Sequence, residues 1–391
     1  MPRPGAGRLS TILITGARAP IALDLARSFT AAGHDAQLAD SISPWSARLA
    51  RGARGRLHRL APPRFAFAAF AAGLAELVER LDPRLIVPTC EEVFYVAEAG
   101  VRHGFADRVF APPPGMLRTL HSKAAFPAFL RANAVPAPAT TRVTSRAELA
   151  AWRLRADDIV LKPEFSRFAS HARVRPTLQE FDRLAPTPEA PWVVQDYAPG
   201  EEICIWSACR AGEVVAFAAY KPLWRLGQSA SFYFETAEDP ALLATTRAIA
   251  KATGASGQLS FDVIRGDDGS ITPIECNPRG ISGIHLFDRD ARLAHALLGE
   301  VPLQRPSAPA RHLGPAMWLF GAPYALINGK LDAFRRDLSR SRDVLSAVGE
   351  PWLGLGALLD AGRFTLVGLS RGRSASGQST DDIEWNGEPI G

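Results

Sequence analysis

The sequence predicts a mixed α/β and α+β protein of several compact units, and three observations lead there. The first stretch alternates strand, turn, helix and strand; a Pro-rich break at 112–115 closes it; beyond that break, runs of strand length are paired through Gly-containing turns. A chain of 391 residues supports two to four units with substantial cores, and 47% hydrophobic residues is ordinary for a globular protein.

The segment TILITGARAPIALDLARSFTAAGHDAQLAD (11–40) reads as a βαβ unit, and RLIVPTCEEVFYVAEAG (84–100) repeats the strand-to-helix pattern. Gly16 in the first turn and Asp40 at a ribose-binding distance invite a dinucleotide reading. The full G-x-G-x-x-G fingerprint is missing, however, because Ala17-Arg18-Ala19-Pro20 stands where further glycines belong. Thr89, Glu91 and Glu92 follow the strand LIVP at its carboxyl end, where open α/β sheets place ligands; alternatively Thr89 caps the next helix and the acids complement its dipole.

After the break, HSKAAFPAFLRANAVPAPAT reads as a helix with Phe126 and Leu130 on its apolar side, stopped by Val-Pro-Ala-Pro. The run DIVLKP is a strand ending at Lys162. WVVQDYAPGEEICIW (192–206) is a strand, a Pro-Gly break and a second strand. VVAFAAYKPLWRLGQSASFYFE (214–235) is a strand through Tyr220-Lys221, a polar loop and an aromatic strand.

The most chemical segment is QLSFDVIRGDDGSITPIECNPRG (258–280). LSFDVI and SITPIECN flank Asp268-Gly269, a strong two-residue hairpin signal. With those two residues as the loop, Asp262 falls opposite Glu275. Period-two alternation puts Asn277 on the face of Glu275 and sends Ile274 and Cys276 to the other. Opposed carboxylates repel and push one pKa upward unless a cation sits between them, and oxygen-only donors suit Mg²⁺. Arg279, two residues past Asn277, adds a fixed positive fork.

The spacing from Asp262 to Glu275, followed by ECNPR, resembles the metal-binding end of the ATP-grasp ligases, the group that includes D-alanine:D-alanine ligase, biotin carboxylase and the carbamoyl phosphate synthetase large chain. The resemblance implies an ATP-grasp fold with an N-terminal Rossmann-like domain (1–115) that binds no nucleotide, a two-lobed nucleotide-binding region and a small C-terminal extension (311–391). The small lobe is 116–190, and the large lobe with the metal site is 191–310. It covers 116 to about 310 well and the first domain loosely.

The chain uses 40 Arg and only five Lys, and Lys123 and Lys162 fall where the resemblance implies phosphate-binding lysines. The segment after Lys162 stands where a glycine-rich flap is expected; it has no Gly, and Ser166, Arg167, Ser170, His171 and Arg173 offer hydroxyls and guanidinium groups instead. Gln195, Asp196 and Tyr197 map to the adenine-binding hinge, with the Gln195 amide oxygen able to accept from the adenine amino group. Glu202 maps to the ribose ligand. Lys221 and Arg225 are candidates for the γ-phosphate or an anionic substrate. Ser282, Ile284 and His285, in a loop made flexible by Gly280 and Gly283, are candidates for substrate selection.

Net charge is +5 and pI about 9.2, from Arg spread along the chain with no basic run of nucleic-acid type. The four cysteines (90, 204, 209, 276) lack metal-ligand spacing. No apolar run approaches the roughly 18 residues of a span, and no signal peptide is evident. The expectation is a soluble, cytoplasmic protein without nucleic-acid or membrane partners, its oligomeric state open. Asp381, Asp382 and Glu384 in the tail read as a solvated acidic turn or a second cation site.

The implied cofactors are ATP and one or two Mg²⁺, with Mn²⁺ able to substitute. Asp262, Glu275 and Asn277 hold the metal, Lys123 and Lys162 neutralise phosphates, and Arg279 with Lys162 takes the catalytic role. The implied activity is an EC 6.3-like ligase that activates a small-molecule carboxylate as an acyl phosphate and joins it to an amine. Two alternatives stay open: an ATP-dependent kinase or carbamoyl-phosphate-type enzyme with the same nucleotide site, and a non-catalytic ATP-binding protein.

Overall fold

The computed structural model describes residues 10–51, 55–166, 172–225, 231–346, 350 and 352–391. Their strands form three sheets. The first is parallel, ordered β3-β2-β1-β4, from β1 (Thr11–Thr15), β2 (Asp35–Asp40), β3 (Leu57–Arg59) and β4 (Leu85–Pro88). Parallel strands need crossover connections, and the helices Pro20–Ala31 and Phe67–Leu81 supply them. Both faces of this sheet are therefore covered, which is why Ile12, Leu13 and Ile14 are all buried although they alternate sides.

The second sheet is antiparallel, ordered β5-β8-β6-β7, from β5 (Thr140–Val143), β6 (Ile159–Pro163), β7 (Arg173–Val174) and β8 (Trp192–Asp196). The third has seven strands ordered β13-β12-β9-β10-β11-β14-β15. They are β9 (Glu201–Arg210), β10 (Glu213–Arg225), β11 (Ser231–Thr236), β12 (Gly257–Arg265), β13 (Ile271–Asn277), β14 (Ala310–His312) and β15 (Arg342–Asp343). One face of this sheet packs on the helices Ala125–Ala132 and Pro240–Thr253 through Ile203, Ile205, Phe217, Phe261 and Val263. Phe126 and Leu130 join that core as expected.

Three departures from the sequence reading have physical causes. First, β14 and β15 place part of the supposed extension inside the large sheet, and residues 379–391 fold back onto the first domain, where Trp385 packs against Phe94 and also meets Phe165, from just beyond β6. Second, the helix Leu353–Ser370 is long and apolar enough to cross a membrane; Asp360 and Arg363 interrupt its apolar run. Asp360 is buried, accepting from the amides of Trp45 and Ser46 and from the Ser46 hydroxyl at 2.8–3.0 Å, so this helix is fastened to the first domain. Third, Gly280 and Gly283 are packing positions rather than hinges. A Cβ at Gly280 would stand 2.6 Å from the Ile21 side chain, and one at Gly283 2.7 Å from Trp206.

Candidate functional site

The site is built on the face of the large sheet that turns away from the helical core. Asp262 pairs with Glu275 as expected, but by a different route. The strands end at Arg265 and Ile271, so the loop is Gly266–Ser270 rather than Asp268-Gly269 alone. Next to the turn the pairs run Arg265–Ile271 and Val263–Pro273, and an extra residue, Ile274, shifts the register before Asp262 meets Glu275. A longer loop and a β-bulge offset each other. Register then lays Glu275, Asp262, Cys204 and Tyr220 in one row across four strands, with Asn277, Ser260, Trp206 and Ala218 in the next.

The row has a charge problem that it does not solve alone. Burial, then Glu275 and Glu202, push the Asp262 carboxyl up to about 7, while Cys204 and Lys162 pull it down. Beyond Cys204, Tyr220 interacts with both the Cys204 thiol and Ser282, and burial pushes its hydroxyl and that thiol well above their ordinary values.

Two lysines converge on this acidic row from the smaller sheet's side. Lys123, in the turn between helices Pro114–His121 and Ala125–Ala132, is buried; its Nζ lies 3.4 Å from Glu275 Oε1 and donates to the Ser166 carbonyl at 3.0 Å. Its backbone N–H donates to the Glu164 carbonyl. Lys162, on β6, donates to Gln195 Oε1 on β8 at 3.0 Å. Burial, with Lys123, drives the Lys162 ammonium below its usual value, against the pull of Glu275, Asp262 and Glu202. The Gln195 side chain is thus engaged on both sides, its oxygen accepting from Lys162 and its Nε2 donating to Thr140 Oγ1 at 3.2 Å. Glu164 escaped the sequence reading: it accepts from Ser122 Oγ and Arg142 Nε at 2.6 Å each and braces the Lys123 turn. No pattern in the sequence marks it, because its partners are 22 and 42 residues away.

The hinge candidates sit at the end of β8. Asp196 N–H donates to the Ala139 carbonyl and Tyr197 N–H to the Asp158 carbonyl, so those two amides are committed, and the Asp196 carboxylate pairs with Arg155 at 2.8 Å. Just beyond, Gly200 takes φ +140, and a Cβ there would run into the Arg265 carbonyl oxygen. Glu202 shares the site face and pairs with Arg225 at 2.8 Å. Trp224, at φ +51, breaks the strand's alternation just before Arg225. Lys221 is not at the site: it lies on the opposite face and pairs with Glu201 at 2.7 Å, beside Arg265. Arg167, Ser170 and His171 lie outside the described residues.

At the far end, Arg279 donates to Asn277 Oδ1 at 3.2 Å and stands 3.6 Å from Glu91 Oε1, so Glu91 does reach across from the first domain. Thr89 and Glu92 do not: Glu92 accepts from Thr15 Oγ1 and from the amides of Thr89 and Cys90, tying the ends of β1 and β4 together. Neither Thr89 nor the acids cap the helix Val93–His103 by a side-chain bond. His285 is buried, its Nδ1 2.7 Å from Asp24 Oδ2, and it faces the first domain rather than the site. The tail acids form neither a cation site nor a solvated turn. Asp381 is buried among Arg64, Arg371 and Arg373, and Asp382 pairs with Arg18 at 2.6 Å. Arg18 also holds Asp40 at 2.5 Å, which occupies the acid a nicotinamide dinucleotide would need.

Among the described residues, no three His, Cys, Asp or Glu side chains converge as a metal cage. Two opposed carboxylates, of which Asp262 is pushed upward by its neighbours, an amide oxygen beside them and two lysines overhead fit Mg²⁺ completed by phosphate oxygens. No family model matches the sequence, and no curated protein matches it. Solved structures do. L-amino acid ligase from Bacillus licheniformis is similar at 14% identity, covering 75% of this chain and 76% of that chain, with a TM-score of 0.55. N5-carboxyaminoimidazole synthetase from Staphylococcus aureus, complexed with ADP, is similar at 12% identity over 81% and 85%, with a TM-score of 0.61. Biotin carboxylase from Campylobacter jejuni, in complex with β,γ-ATP, is similar at 15% identity over 74% and 70%, with a TM-score of 0.56. At these identities the likeness is one of fold.

Proposed function

We propose that this chain, which has the ATP-grasp fold, is an ATP-dependent ligase that activates a carboxylate as an acyl phosphate and joins it to an amine. One observation supports the reading most: Lys123, Lys162, Asp262 and Glu275, scattered over 153 residues of sequence, come together as one interacting cluster of charges. Lys162, fixed by Gln195, and Lys123 would take the phosphates, and release of Lys123 from Glu275 would free that carboxylate. Asp262, Glu275 and Asn277 would hold one or two Mg²⁺, or Mn²⁺ in their place. Bound metal would neutralise charge on the phosphate oxygens. Glu202 would accept from the ribose hydroxyls once Arg225 swings toward the γ-phosphate.

The substrate carboxylate oxygen would then attack the γ-phosphorus, breaking its bond to ADP. An amine would displace phosphate from the acyl carbon, losing its proton to solvent or to the departing phosphate. Arg279 would steady the charge on the transferring group. No protein nucleophile is required. None of the four cysteines is in a disulfide, which suits a reducing, cytoplasmic setting.

The test is Mg²⁺-dependent ADP release from ATP against pooled carboxylic acids, with and without pooled amines, for the native chain and Glu275→Gln. The ligase reading expects an acid pool to raise ADP release, an amine pool to raise it further, and the substitution to abolish both. Full turnover without any amine would replace ligation by phosphoryl transfer alone.

A further inference from the structure

The exposed face of the C-terminal helix carries a pattern with a specific geometric meaning. On Leu353–Ser370 and the residue before it, Trp352, Leu355, Leu359, Gly362, Leu366 and Leu369 follow one another at spacings of three, four, three, four and three. That is the a/d seam of a heptad repeat, the period at which one helix beds against another. Its large side chains all point to water, with Leu366 at 71% and Leu369 at 72% exposure. The opposite face is occupied: Leu353, Gly356, Asp360 and Gly368 are buried, Gly356 against Ser46 and Gly368 against the backbone of Arg373 and Ser374. The helix is thus seated on its own subunit by one side and shows an unpartnered seam on the other.

We propose that this seam is a self-association surface on which the same helix of a second copy packs, making the protein a dimer. Area supports a partner of that size. The seam with Leu358 leaves on the order of 600 Å² of apolar side chain in water, the top of the range for the largest patch on a monomer. Gly314–Ala316 pack against the helix and lead straight into a second exposed apolar stretch that includes Trp318, Leu326 and Ile327. Together they expose on the order of 1,000 Å², more than the roughly 800 Å² each partner of a stable dimer buries. Gly362, near the middle of the seam, lets two backbones approach closely.

A lipid surface fits less well. The exposed face carries a single charge, Arg363, whereas interfacial helices line their polar margins with several Lys or Arg. The arginines that follow the helix in sequence, 371 and 373, are paired with Asp381. The Asp360 clamp also holds the helix to the first domain, which opposes its leaving to span a bilayer.

The experiment is the solution mass of the full chain by light scattering after gel filtration, for the native protein and Leu359→Lys/Leu366→Lys. The proposal expects a native mass of two chains falling to one in the variant, with an unchanged circular dichroism spectrum and unchanged nucleotide binding. Because both positions are exposed, the variant is expected to fold. Should it not, Gly362→Cys provides an independent reading: mild oxidation must yield a disulfide-linked dimer on denaturing gels. A monomeric native chain overturns the proposal, as does a dimer that survives the lysines. So does co-sedimentation of a monomeric native chain with phosphatidylglycerol–phosphatidylcholine vesicles, which would assign the seam to lipid.

Discussion

Asp262 concentrates the chemistry of the site in one proton. Its carboxyl, raised to about 7 by burial and by Glu275, is largely neutral below that pH in the metal-free chain. Binding Mg²⁺ requires the charged form, so binding below pH 7 must release a proton. Mg²⁺ affinity measured calorimetrically in the presence of ADP is expected to rise by up to about tenfold per pH unit from 5.5 to 7 and to level off above. In Asp262→Asn that slope should vanish along with most of the affinity. Gln195 gives a second residue-scale prediction. Gln195→Leu leaves the buried Lys162 ammonium without its acceptor, and should lower stability by about 1–3 kcal/mol in urea titration while weakening nucleotide binding. The Asp262–Glu275 opposition was legible in the sequence because a hairpin makes its partners nearly local. The Lys162–Gln195 pairing was not, because it depends on the register of β6 with β8, two strands separated in sequence by β7 and a helix.

At the scale of the elements, the hairpin of β12 and β13 shows how a correct pairing can rest on two unread features. A five-residue loop would have moved Glu275 out of opposition with Asp262, and the bulge at Ile274 restores it. Inserting one residue between Ile274 and Glu275 should therefore keep the hairpin and its bulge but move Glu275 opposite Phe261, on the helical face, abolishing Mg²⁺-dependent nucleotide binding with little change in circular dichroism. Bulges leave no reliable mark in a sequence, whereas the alternation that identifies a strand does. Gly200 is the complementary case, a position where the conformation itself is the requirement. Gly200→Ala has to place a Cβ against the Arg265 carbonyl at φ +140, and is expected to cost about 1–3 kcal/mol in urea titration.

Across the whole molecule, the first domain, the site and the tail are fastened by contacts that join distant parts of the chain. Gln258 Nε2 donates to the Pro88 carbonyl at 2.6 Å, His285 meets Asp24, and Asp382 meets Arg18, each across more than 150 residues. The tail looked like a loop because its composition is polar; it is ordered by arginines on the first domain, and charge pairing at such separation has no sequence signature. Removing residues 379–391 would strip Arg18 of Asp382 and expose Phe94, and should lower the thermal midpoint by several degrees. The α/β and α+β layout, the strand pairs and the acidic hairpin were readable; the closure of the molecule by its own tail was not. The claim on which all of this converges is that Lys123, Lys162, Asp262 and Glu275 form one nucleotide site. The most direct measurement is calorimetric titration of ADP with Mg²⁺ into the native chain and into Lys162→Ala. Saturable one-to-one binding in the native chain, lost in the variant and weakened when Mg²⁺ is withheld, is the predicted result. No binding at millimolar nucleotide, or binding indifferent to Lys162 and to Mg²⁺, would contradict it.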